Sequence, residues 1–494
     1  MNAARPRPAA RPRVVALFPG AFRPPHRAHY QSVRHLAARA DIDEVVVIVS
    51  NRCRHIPETD KALEPDLALR IWAIYLRGMD KVRVELAEDS AVRHALAYLE
   101  QASARDHLLF CAGEADLREG RGRFRQVSRL ARELGVSAEV IASSPAPLSG
   151  GATRLRRDLA RGESGRDGFL AALPAHLGMA RKLQVWDLCR HAMRDIHAII
   201  ASRVRAVIEA SDLGKVEHIE TTREGKADAA LKVTLEAGEC LFVKHTSHTV
   251  RADRLGEARR LKPRDRIYVE RNALKWLARH QPGNVAFPRV RMFHNRSKTL
   301  ALSASFPDGH SLLDEMRNGR FDATLIRQAA QFLACCHTHP RTVPALRKDA
   351  DTDREHWETL LRSRMPRQHG GDLPRLYRES LHASASDEGN GLFHLDLSPG
   401  NIRVSHGRIG VIDFENSSSV GDPAHDLGYF LGHCLYWEQL TSPYGSGSRL
   451  AARILDSYQE IAGTLSARSV SRLHAFALLT MASTAESMHR DRGD

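Results

Sequence analysis

The chain has 494 residues, a formal net charge of +14 and 43% hydrophobic residues. It is too long for one ordinary hydrophobic core and too apolar for a largely disordered protein, so several folded domains are expected. The Lys and Arg residues are spread along the chain and interleaved with acids. The positive charge is therefore better explained by binding of anionic nucleotides than by binding of nucleic acid, which is not expected.

Residues 1–12 consist mostly of Ala, Pro and Arg and lack the apolar core of a signal peptide, so they are expected to form a disordered basic tail. No later stretch has about 18 uncharged apolar residues, so no membrane contact is expected. The seven cysteines are scattered without a Cys-x-x-Cys pair, which favours a cytoplasmic protein. The run 335–339, Cys-Cys-His-Thr-His, lies in a helical pattern and favours buried thiols over a metal site.

Strand-like and helix-like runs alternate in the first part of the chain. Strands are predicted over residues 14–18, 43–50, 82–86 and 108–112, with helices over 29–40 and 66–76. This alternation predicts a parallel sheet with crossover helices. In that architecture ligands bind at the carboxyl ends of the strands.

A turn rich in Gly and Pro follows the first predicted strand, with the sequence PGAFRPPHRAH over residues 19–29. His26 and His29 lie three residues apart and share one face of the first helical turn. The N–H groups at a helix N-terminus favour an anionic phosphate, and histidines can hydrogen-bond to charge that develops on the α-phosphate.

This turn resembles the GxFxPxHxGH signature of the nucleotidylyltransferase superfamily, which includes nicotinate-mononucleotide, pantetheine-phosphate and choline-phosphate enzymes. Ala28 replaces the usual Gly. The resemblance implies a Rossmann-like domain that uses ATP or CTP, in which His26 and His29 are catalytic and Gly20 and Phe22 contact the nucleotide.

A second run, SGGATRLR over residues 149–156, resembles the SSTxIR motif of the same superfamily. By this match Thr153 caps a helix and Arg156 reaches the β and γ phosphates. The loop 113–116 resembles the family's GxD nucleotide loop with one residue added, which leaves open which acid matters. Arg52 and Arg54 are candidate contacts for the acceptor's phosphate or are simply solvated.

Helical spacing dominates residues 159–209, and strand signals disappear there. Runs 229–235 and 240–243, on either side of Ala237-Gly238, predict a hairpin. Beyond Thr324 the pattern is mainly helical, interrupted by a polar loop around Asp396.

That polar loop has the sequence HLDLSPGN over residues 394–401, and IDFE follows at 412–415. Phosphoryl transfer needs a carboxylate that receives the acceptor's proton and oxygen ligands that hold Mg²⁺ on the phosphates. Asp396, Asn401 and Asp413 supply that set.

These runs resemble the HGDLHPGN and IDFE motifs of aminoglycoside phosphotransferases and choline kinases, although Leu395 and Ser398 replace the usual Gly and His. The resemblance implies a two-lobed kinase fold that uses ATP and Mg²⁺. It assigns the following roles: Asp396 the catalytic base, Asn401 and Asp413 the metal ligands, His394 a support for the loop, and Asp426, in a GDPxxDL element, a brace for the site.

Lys244 ends a β-like run, LFVK, and by the same resemblance binds phosphate. Glu270 lies in a helical stretch suited to pair with it. The glycine loop is poor, with only Gly225 between its candidate strands. The acceptor pocket is expected within 351–386, and its variable helices leave the acceptor unidentified.

The sequence thus predicts an α/β protein: a Rossmann-like nucleotidylyltransferase domain followed by a two-lobed kinase domain. The boundaries are a tail over 1–12, the nucleotidylyltransferase domain over 13–180, a helical connector over 181–212, and kinase lobes over 213–305 and 306–494. The oligomeric state stays open.

A kinase product is a phosphomonoester, the nucleophile that a nucleotidylyltransferase uses, so the leading hypothesis is a bifunctional enzyme that acts on a small alcohol, sugar or nucleoside. One alternative is NAD salvage, in which a riboside is phosphorylated and then adenylylated; it rests on Leu173-Pro174, which resembles the end of nicotinate-mononucleotide adenylyltransferases. Another is an antibiotic kinase. A third is a non-catalytic nucleotide sensor in the first domain.

Overall fold

The computed structural model describes residues 11–88, 90–103, 105–113, 117, 124, 126–143, 151–221, 229–245, 263–304, 306, 309–339, 389–441 and 447–492. The chain divides into two compact units. Among the described residues, unit 1 covers the range 11–200 and unit 2 covers the range 201–492. None of the described helices is long and apolar enough to cross a membrane.

Unit 1 is a mixed α/β structure. Its strands are β1 (Arg13–Gly20), β2 (Glu44–Val49), β3 (Arg54–His55), β4 (Lys61–Leu63), β5 (Val82–Leu86), β6 (Asp106–Ala112), β7 (Ser137–Ala142) and β8 (Met193–Asp195). Its helices are α1 (Arg27–Ala38), α2 (Pro65–Tyr75), α3 (Ala91–Gln101), α4 (Val127–Leu134), α5 (Ala152–Ala160), α6 (Arg166–Ala171), α7 (Met179–His191) and, across the boundary between the units, α8 (Ile196–Glu209).

The main sheet of unit 1 has the order β5-β2-β1-β6-β7, and every pairing is parallel. The predicted parallel sheet is therefore confirmed. Counted within this sheet alone the order is 3-2-1-4-5, which reverses between β1 and β6, and ligands of such sheets bind beyond the carboxyl ends of the strands at that reversal. The loop that follows β1 starts from this point.

The apolar runs of β1 and β2 explain their central position, since a parallel strand covered on both faces is buried throughout. Alternate residues of β1 enter two different cores: Ala16 and Phe18 join one, and Val15 and Leu17 join the other. The prediction of only helices over 159–209 missed β8, which pairs with β4 in a small antiparallel sheet. Three residues are too few to show a period-2 pattern.

Unit 2 contains an antiparallel sheet of order β12-β13-β11-β10-β9 followed by a mainly helical part. The strands are β9 (Val216–Thr221), β10 (Ala229–Leu235), β11 (Cys240–His245), β12 (Val290–His294), β13 (Thr299–Ser303), β14 (His310–Ser311), β15 (Gly389–Phe393), β16 (Ile402–Ser405), β17 (Arg408–Val411) and β18 (Ser418–Gly421). The helices are α9 (Pro263–His280), α10 (Leu312–Arg317), α11 (Ala323–His337), α12 (Pro423–Thr441), α13 (Gly447–Ala462) and α14 (Ala467–Arg492).

The hairpin predicted around Ala237-Gly238 is present, because β10 and β11 pair antiparallel. Beyond Thr324 the pattern is mainly helical, as expected, but short strands accompany the loop. Four short strands, β15 to β18, surround the Asp396 loop and pair as β15-β18 and β16-β17. Each strand has four or five residues, so their identity depends on pairing within the fold rather than on a local pattern.

Helices α12 and α14 approach each other closely because α12 carries glycines on the shared face. A Cβ built on Gly428 would lie 2.7 Å from the Leu473 carbonyl oxygen, and one on Gly432 would lie 2.6 Å from the Thr480 Cβ. The buried Arg472 of α14 also pairs with Asp422, with 3.1 Å between Nε and Oδ2. These contacts fix the start of α12, which carries Asp426.

We expect Gly432→Ala to destabilise unit 2 by about 1–3 kcal/mol, because the new methyl group meets backbone and a Cβ that cannot move aside locally. Thermal or urea unfolding would measure the loss. Gly447→Ala is the matched control, since a Cβ at Gly447 makes only ordinary contacts. Equal stability of the two variants would contradict this account of the helix packing.

Candidate functional site

In unit 2 the carboxylate of Asp396 is held by two side-chain donors. The Tyr429 hydroxyl donates to its Oδ1 at 3.0 Å, and the Asn416 amide donates to its Oδ2 at 3.0 Å. Tyr429 lies on α12, three residues after Asp426, and Asn416 follows the IDFE run. Both donors fix the orientation of a half-buried carboxylate. Sequence reasoning missed both, because neither belongs to a motif.

The backbone on either side of Asp396 is also fixed. The Asn401 amide nitrogen donates to the Asp396 carbonyl oxygen at 2.8 Å. The His394 Nε2 lies 3.0 Å from the Ile412 carbonyl oxygen, one residue before Asp413. These contacts hold the Asp396 loop and the start of the IDFE run together.

Asp426 holds the same loop from the other side. Its Oδ2 accepts from the His394 N–H at 2.7 Å, and its Oδ1 accepts from the Leu395 N–H at 3.0 Å. Leu395 has a φ of +61°, in the left-handed region that favours glycine. A leucine is strained in that conformation, so the carboxylate of Asp426 secures a loop that would otherwise relax.

Lys244 lies among three carboxylates. Its Nζ is 2.8 Å from Glu270 Oε2 on α9 and 3.4 Å from Glu415 Oε2, and it also contacts Asp413 Oδ1. Burial alone would lower the pKa of Lys244, but Asp413, Glu270 and Glu415 together raise it well above its ordinary value. The lysine is therefore charged and held at the end of β11.

Asp413 has the converse electrostatics. Burial would raise its pKa, but the neighbouring Lys244 lowers it below the ordinary value. Glu415 is also held by Arg266 of α9, with 2.9 Å between Nη1 and Oε1. The motif residues Lys244, Glu270 and Asp413 thus lie together, and the pairing of Arg266 with Glu415 is an addition that the sequence motifs did not predict.

Phe242 shares a strand face with Lys244, because side chains two residues apart on a strand point to the same side. It is one of the large hydrophobic side chains that stay exposed, at 38%. Alternation along the LFVK run could have identified it from the sequence. An exposed aromatic ring on the same strand face as Lys244 offers a surface on which another flat ring can stack.

Among the residues that the structure describes, one group of carboxylates is close enough to share a metal ion, namely Glu270, Asp413 and Glu415. The run 335–339 is not such a group: Cys335 and Cys336 are free thiols, and burial raises the pKa of both. Gly225 and the segment 351–386 lie outside the described residues.

In unit 1 the loop after β1 carries the two histidines at the start of α1. Gly20 is required there, because a Cβ would collide with the ring of Phe22. The Phe22 ring in turn packs edge-on against His29 at a centroid distance of 4.9 Å and against Trp72 at 5.5 Å. The aromatic side chain of the motif therefore positions His29.

His26 precedes the first residue of α1, and its ring stacks on His29 at a centroid distance of 3.7 Å. Burial lowers the pKa of His26 to about 4, and burial together with His26 lowers the pKa of His29. The backbone N–H of His26 donates to Nδ1 of His29 at 3.3 Å, so the proton of the neutral His29 ring lies on Nε2.

Arg156 and Thr153 lie beside this loop. Arg156 Nη1 donates to the Arg23 carbonyl oxygen at 2.9 Å, and its Nη2 donates to Thr153 Oγ1 at 3.0 Å. The expectation that Thr153 caps the helix was wrong. Gly151 is the residue before α5, no side chain caps its N-terminus, and Thr153 is already the second helical residue.

Arg52 and Arg54 follow β2 at the same edge of the sheet and are partly or largely buried. Burial and the nearby Arg52 lower the pKa of Arg54, the effect expected of two cations that share a site. The acids 114–116 and the Ser149 end of the second run lie outside the described residues.

A fixed carboxylate, a buried lysine paired with a glutamate and an oxygen ligand set define unit 2 as a phosphotransferase site. Residues 219–468 match the model of the phosphotransferase enzyme family, APH. The match spans more than half of the chain, which therefore belongs to that family.

Similar solved structures include the macrolide 2'-phosphotransferase MphH from Brachybacterium faecium, with 17% identity, coverage of 59% of this chain and 94% of that chain, and a TM-score of 0.38. Choline kinase LicA from Streptococcus pneumoniae has 14% identity, coverage of 58% and 99%, and a TM-score of 0.35. No curated protein matches the chain.

Unit 2 should lose stability in acid through His433, which packs edge-on against Tyr429 at a centroid distance of 4.8 Å. Burial lowers the pKa of His433 to about 4, against about 6.5 in an unfolded chain. Between these values the unfolded state binds more protons, so stability present above about pH 6.5 falls as the pH drops toward 4.

Urea unfolding across this pH range would test this. His433→Asn, which does not titrate there, should show a flatter decline than the unaltered chain. Parallel curves for the two proteins would contradict the assignment.

Proposed function

We propose that unit 2 transfers the γ-phosphoryl group of ATP to a hydroxyl group of a small molecule. The observation that carries the proposal is the fixed carboxylate of Asp396 in the same site as the Lys244–Glu270 pair and Asp413. Asp396 accepts the proton of the acceptor hydroxyl. The hydroxyl oxygen attacks the γ-phosphorus of ATP, and ADP departs. Lys244 binds the phosphates.

The donor set of this site fits Mg²⁺. Carboxylate and amide oxygens are the hard ligands that Mg²⁺ prefers. The amide nitrogen of Asn401 donates to the Asp396 carbonyl oxygen, so the amide oxygen is the atom that would bind the ion. Asp413 and Asn401 would hold the ion, which when bound neutralises charge on the phosphates. Glu270 keeps Lys244 in place, and Asp426 and His394 support the loop.

For unit 1 we propose a nucleotidylyltransferase that joins a phosphomonoester to the nucleoside monophosphate part of ATP or CTP and releases pyrophosphate. The supporting observation is that His26, His29 and Arg156 converge at the carboxyl end of β1, beside the N-terminus of α1. The Nε2 proton of His29 and the helix N-terminus stabilise charge on the α-phosphate, and Arg156 binds the leaving phosphates. We assign Arg52 and Arg54 as the candidate contacts for the acceptor's phosphate.

The two proposed reactions can proceed in sequence, because the phosphomonoester made in unit 2 is the nucleophile needed in unit 1. The bifunctional transferase is therefore our proposal for the whole chain, with a small alcohol, sugar or nucleoside as its first substrate. Similar structures include a macrolide phosphotransferase and a choline kinase, so antibiotics and amino alcohols belong among the acceptors to test.

A substrate screen tests both reactions. The purified chain is mixed with Mg²⁺, with ATP or CTP, and with alcohols, sugars, nucleosides, nicotinamide riboside and antibiotics, and ADP and pyrophosphate are measured separately. We expect one compound to yield ADP and then pyrophosphate. Asp396→Asn should abolish the first signal because the base is lost, and His29→Ala should abolish the second.

Each other outcome of the screen points to a different function for this protein. ADP without pyrophosphate for every compound would reject the nucleotidylyltransferase and favour an antibiotic or other kinase with a nucleotide-sensing unit 1. Formation of NAD from the riboside would identify NAD salvage. Undiminished ADP release by Asp396→Asn would reject the kinase mechanism.

Phe242 should contribute to nucleotide binding. A base stacked on an aromatic ring gains about 1–3 kcal/mol, so Phe242→Ala should raise the KM for ATP about tenfold and leave kcat nearly unchanged. Leu440→Ala, which removes another exposed apolar side chain, is the control and should leave KM unaltered. An unchanged KM for Phe242→Ala would exclude stacking on this face.

A further inference from the structure

A buried chain of hydrogen bonds connects helix α13 to Asp426. The Tyr458 hydroxyl lies 2.9 Å from Nδ1 of His337, and Nε2 of His337 lies 3.2 Å from Oδ2 of Asp426. The side chains of His337 and Asp426 are 1% and 0% exposed. His337 lies at the end of α11, and its ring stacks on Phe393 at a centroid distance of 4.6 Å. Three helices thus meet at one polar chain inside an apolar core.

For the neutral ring of His337, the protons of this chain have one consistent arrangement. Burial alone would raise the pKa of Asp426, but the hydrogen bond and charge of His337, with smaller effects of His394 and His425, lower it. The ionised carboxylate only accepts, so Nε2 of His337 donates to it. In the neutral ring Nδ1 is then the acceptor for the Tyr458 hydroxyl, whose own pKa is raised by burial.

The far end of the chain reaches the residue next to the proposed base. Asp426 accepts the N–H groups of His394 and Leu395 at 2.7 and 3.0 Å. Leu395 has a φ of +61° and directly precedes Asp396. A strained conformation of this kind persists only where the surroundings hold it, and a carboxylate that could rotate would hold it less well.

We propose that Tyr458, His337 and Asp426 form a positioning relay that sets the place of Asp396. The donor at Nε2 of His337 fixes the rotation of the Asp426 carboxylate, and Tyr458 selects the ring tautomer that carries this donor. The carboxylate then holds the Leu395 N–H and so the strained backbone. His337 and Tyr458 touch no reacting atom. This inference rests on the assignment of Asp396 as the base.

Three substitutions at one position separate positioning from packing. His337→Gln keeps an amide nitrogen near the place of Nε2, His337→Asn keeps one only near Nδ1, and His337→Leu keeps neither. We expect kcat for ADP release, with the acceptor from the screen or with water, to fall roughly tenfold in the Asn and Leu variants. The Gln variant should retain most of kcat, and the KM for ATP should stay within about twofold in all three.

Two readouts do not depend on turnover. Hydrogen exchange at the amides of His394 and Leu395 should accelerate in His337→Leu and stay slow in His337→Gln. In chain labelled with ¹⁵N-histidine, the His337 signals should show a proton on Nε2, and Tyr458→Phe should shift them toward a mixture of tautomers. Ile454→Ala, a cavity variant in the same core, is the control for a general loss of melting temperature.

The outcomes distinguish the relay from the function on which it rests. Equal effects of His337→Leu and Ile454→Ala on kcat and on loop exchange, at equal loss of melting temperature, would overturn the relay. So would a Gln variant that behaves like the Leu variant. If Asp396→Asn leaves turnover unchanged, the proposed function fails instead, and the exchange of the two amides still decides whether the relay exists.

Discussion

The active region of unit 2 depends on one buried interaction, the pair of hydrogen bonds from the backbone of His394 and Leu395 to the carboxylate of Asp426. A buried carboxylate without partners would be costly, and a left-handed leucine without support would relax. The two hydrogen bonds satisfy the buried carboxylate of Asp426 and also stabilise the left-handed conformation of Leu395. The arrangement also explains why α12 must begin at a fixed point, since the close packing of Gly428 and Gly432 on α14 determines where Asp426 lies.

A second constraint is charge balance around Lys244. Two cations, Lys244 and Arg266, face three carboxylates in a largely buried region, and burial raises the pKa of one of these, Glu270, to about 7. Such a group is costly to bury alone. In the proposed mechanism Asp413 would bind Mg²⁺ and Lys244 would bind the nucleotide phosphates, so these pairings would change. On that proposal, the residues that pair with one another here would also bind the nucleotide and the ion.

Sequence patterns predicted the parts of this protein that are local. Continuous apolar runs predicted the central strands β1 and β2, and the HLDLSPGN run predicted the polar loop of Asp396. The hydrogen-bond partners Tyr429 and Asn416 could not be predicted, because they reach Asp396 from a helix and a turn that only the fold brings near. The capping role assigned to Thr153 failed for a related reason. The sequence does not fix the exact residue at which a helix begins, and the residue that precedes this helix is Gly151.

Three of the seven described non-glycine residues with positive φ lie at the candidate sites, and the other four, Glu58, Gln281, Lys298 and His406, lie elsewhere. The described residues other than glycine with positive φ include Phe22, Leu395 and Asp413, at +51°, +61° and +68°. Each lies within or directly beside a proposed catalytic run, and each is held by tertiary contacts: a ring packed over Gly20, a buried carboxylate, and an ion pair with a lysine. Local preference and global fold disagree at these positions, and such disagreement is expected where a side chain must be presented in an exact direction. Leu395 in place of the usual glycine is therefore compatible with an intact site, because the surrounding contacts stabilise a backbone conformation that leucine alone disfavours.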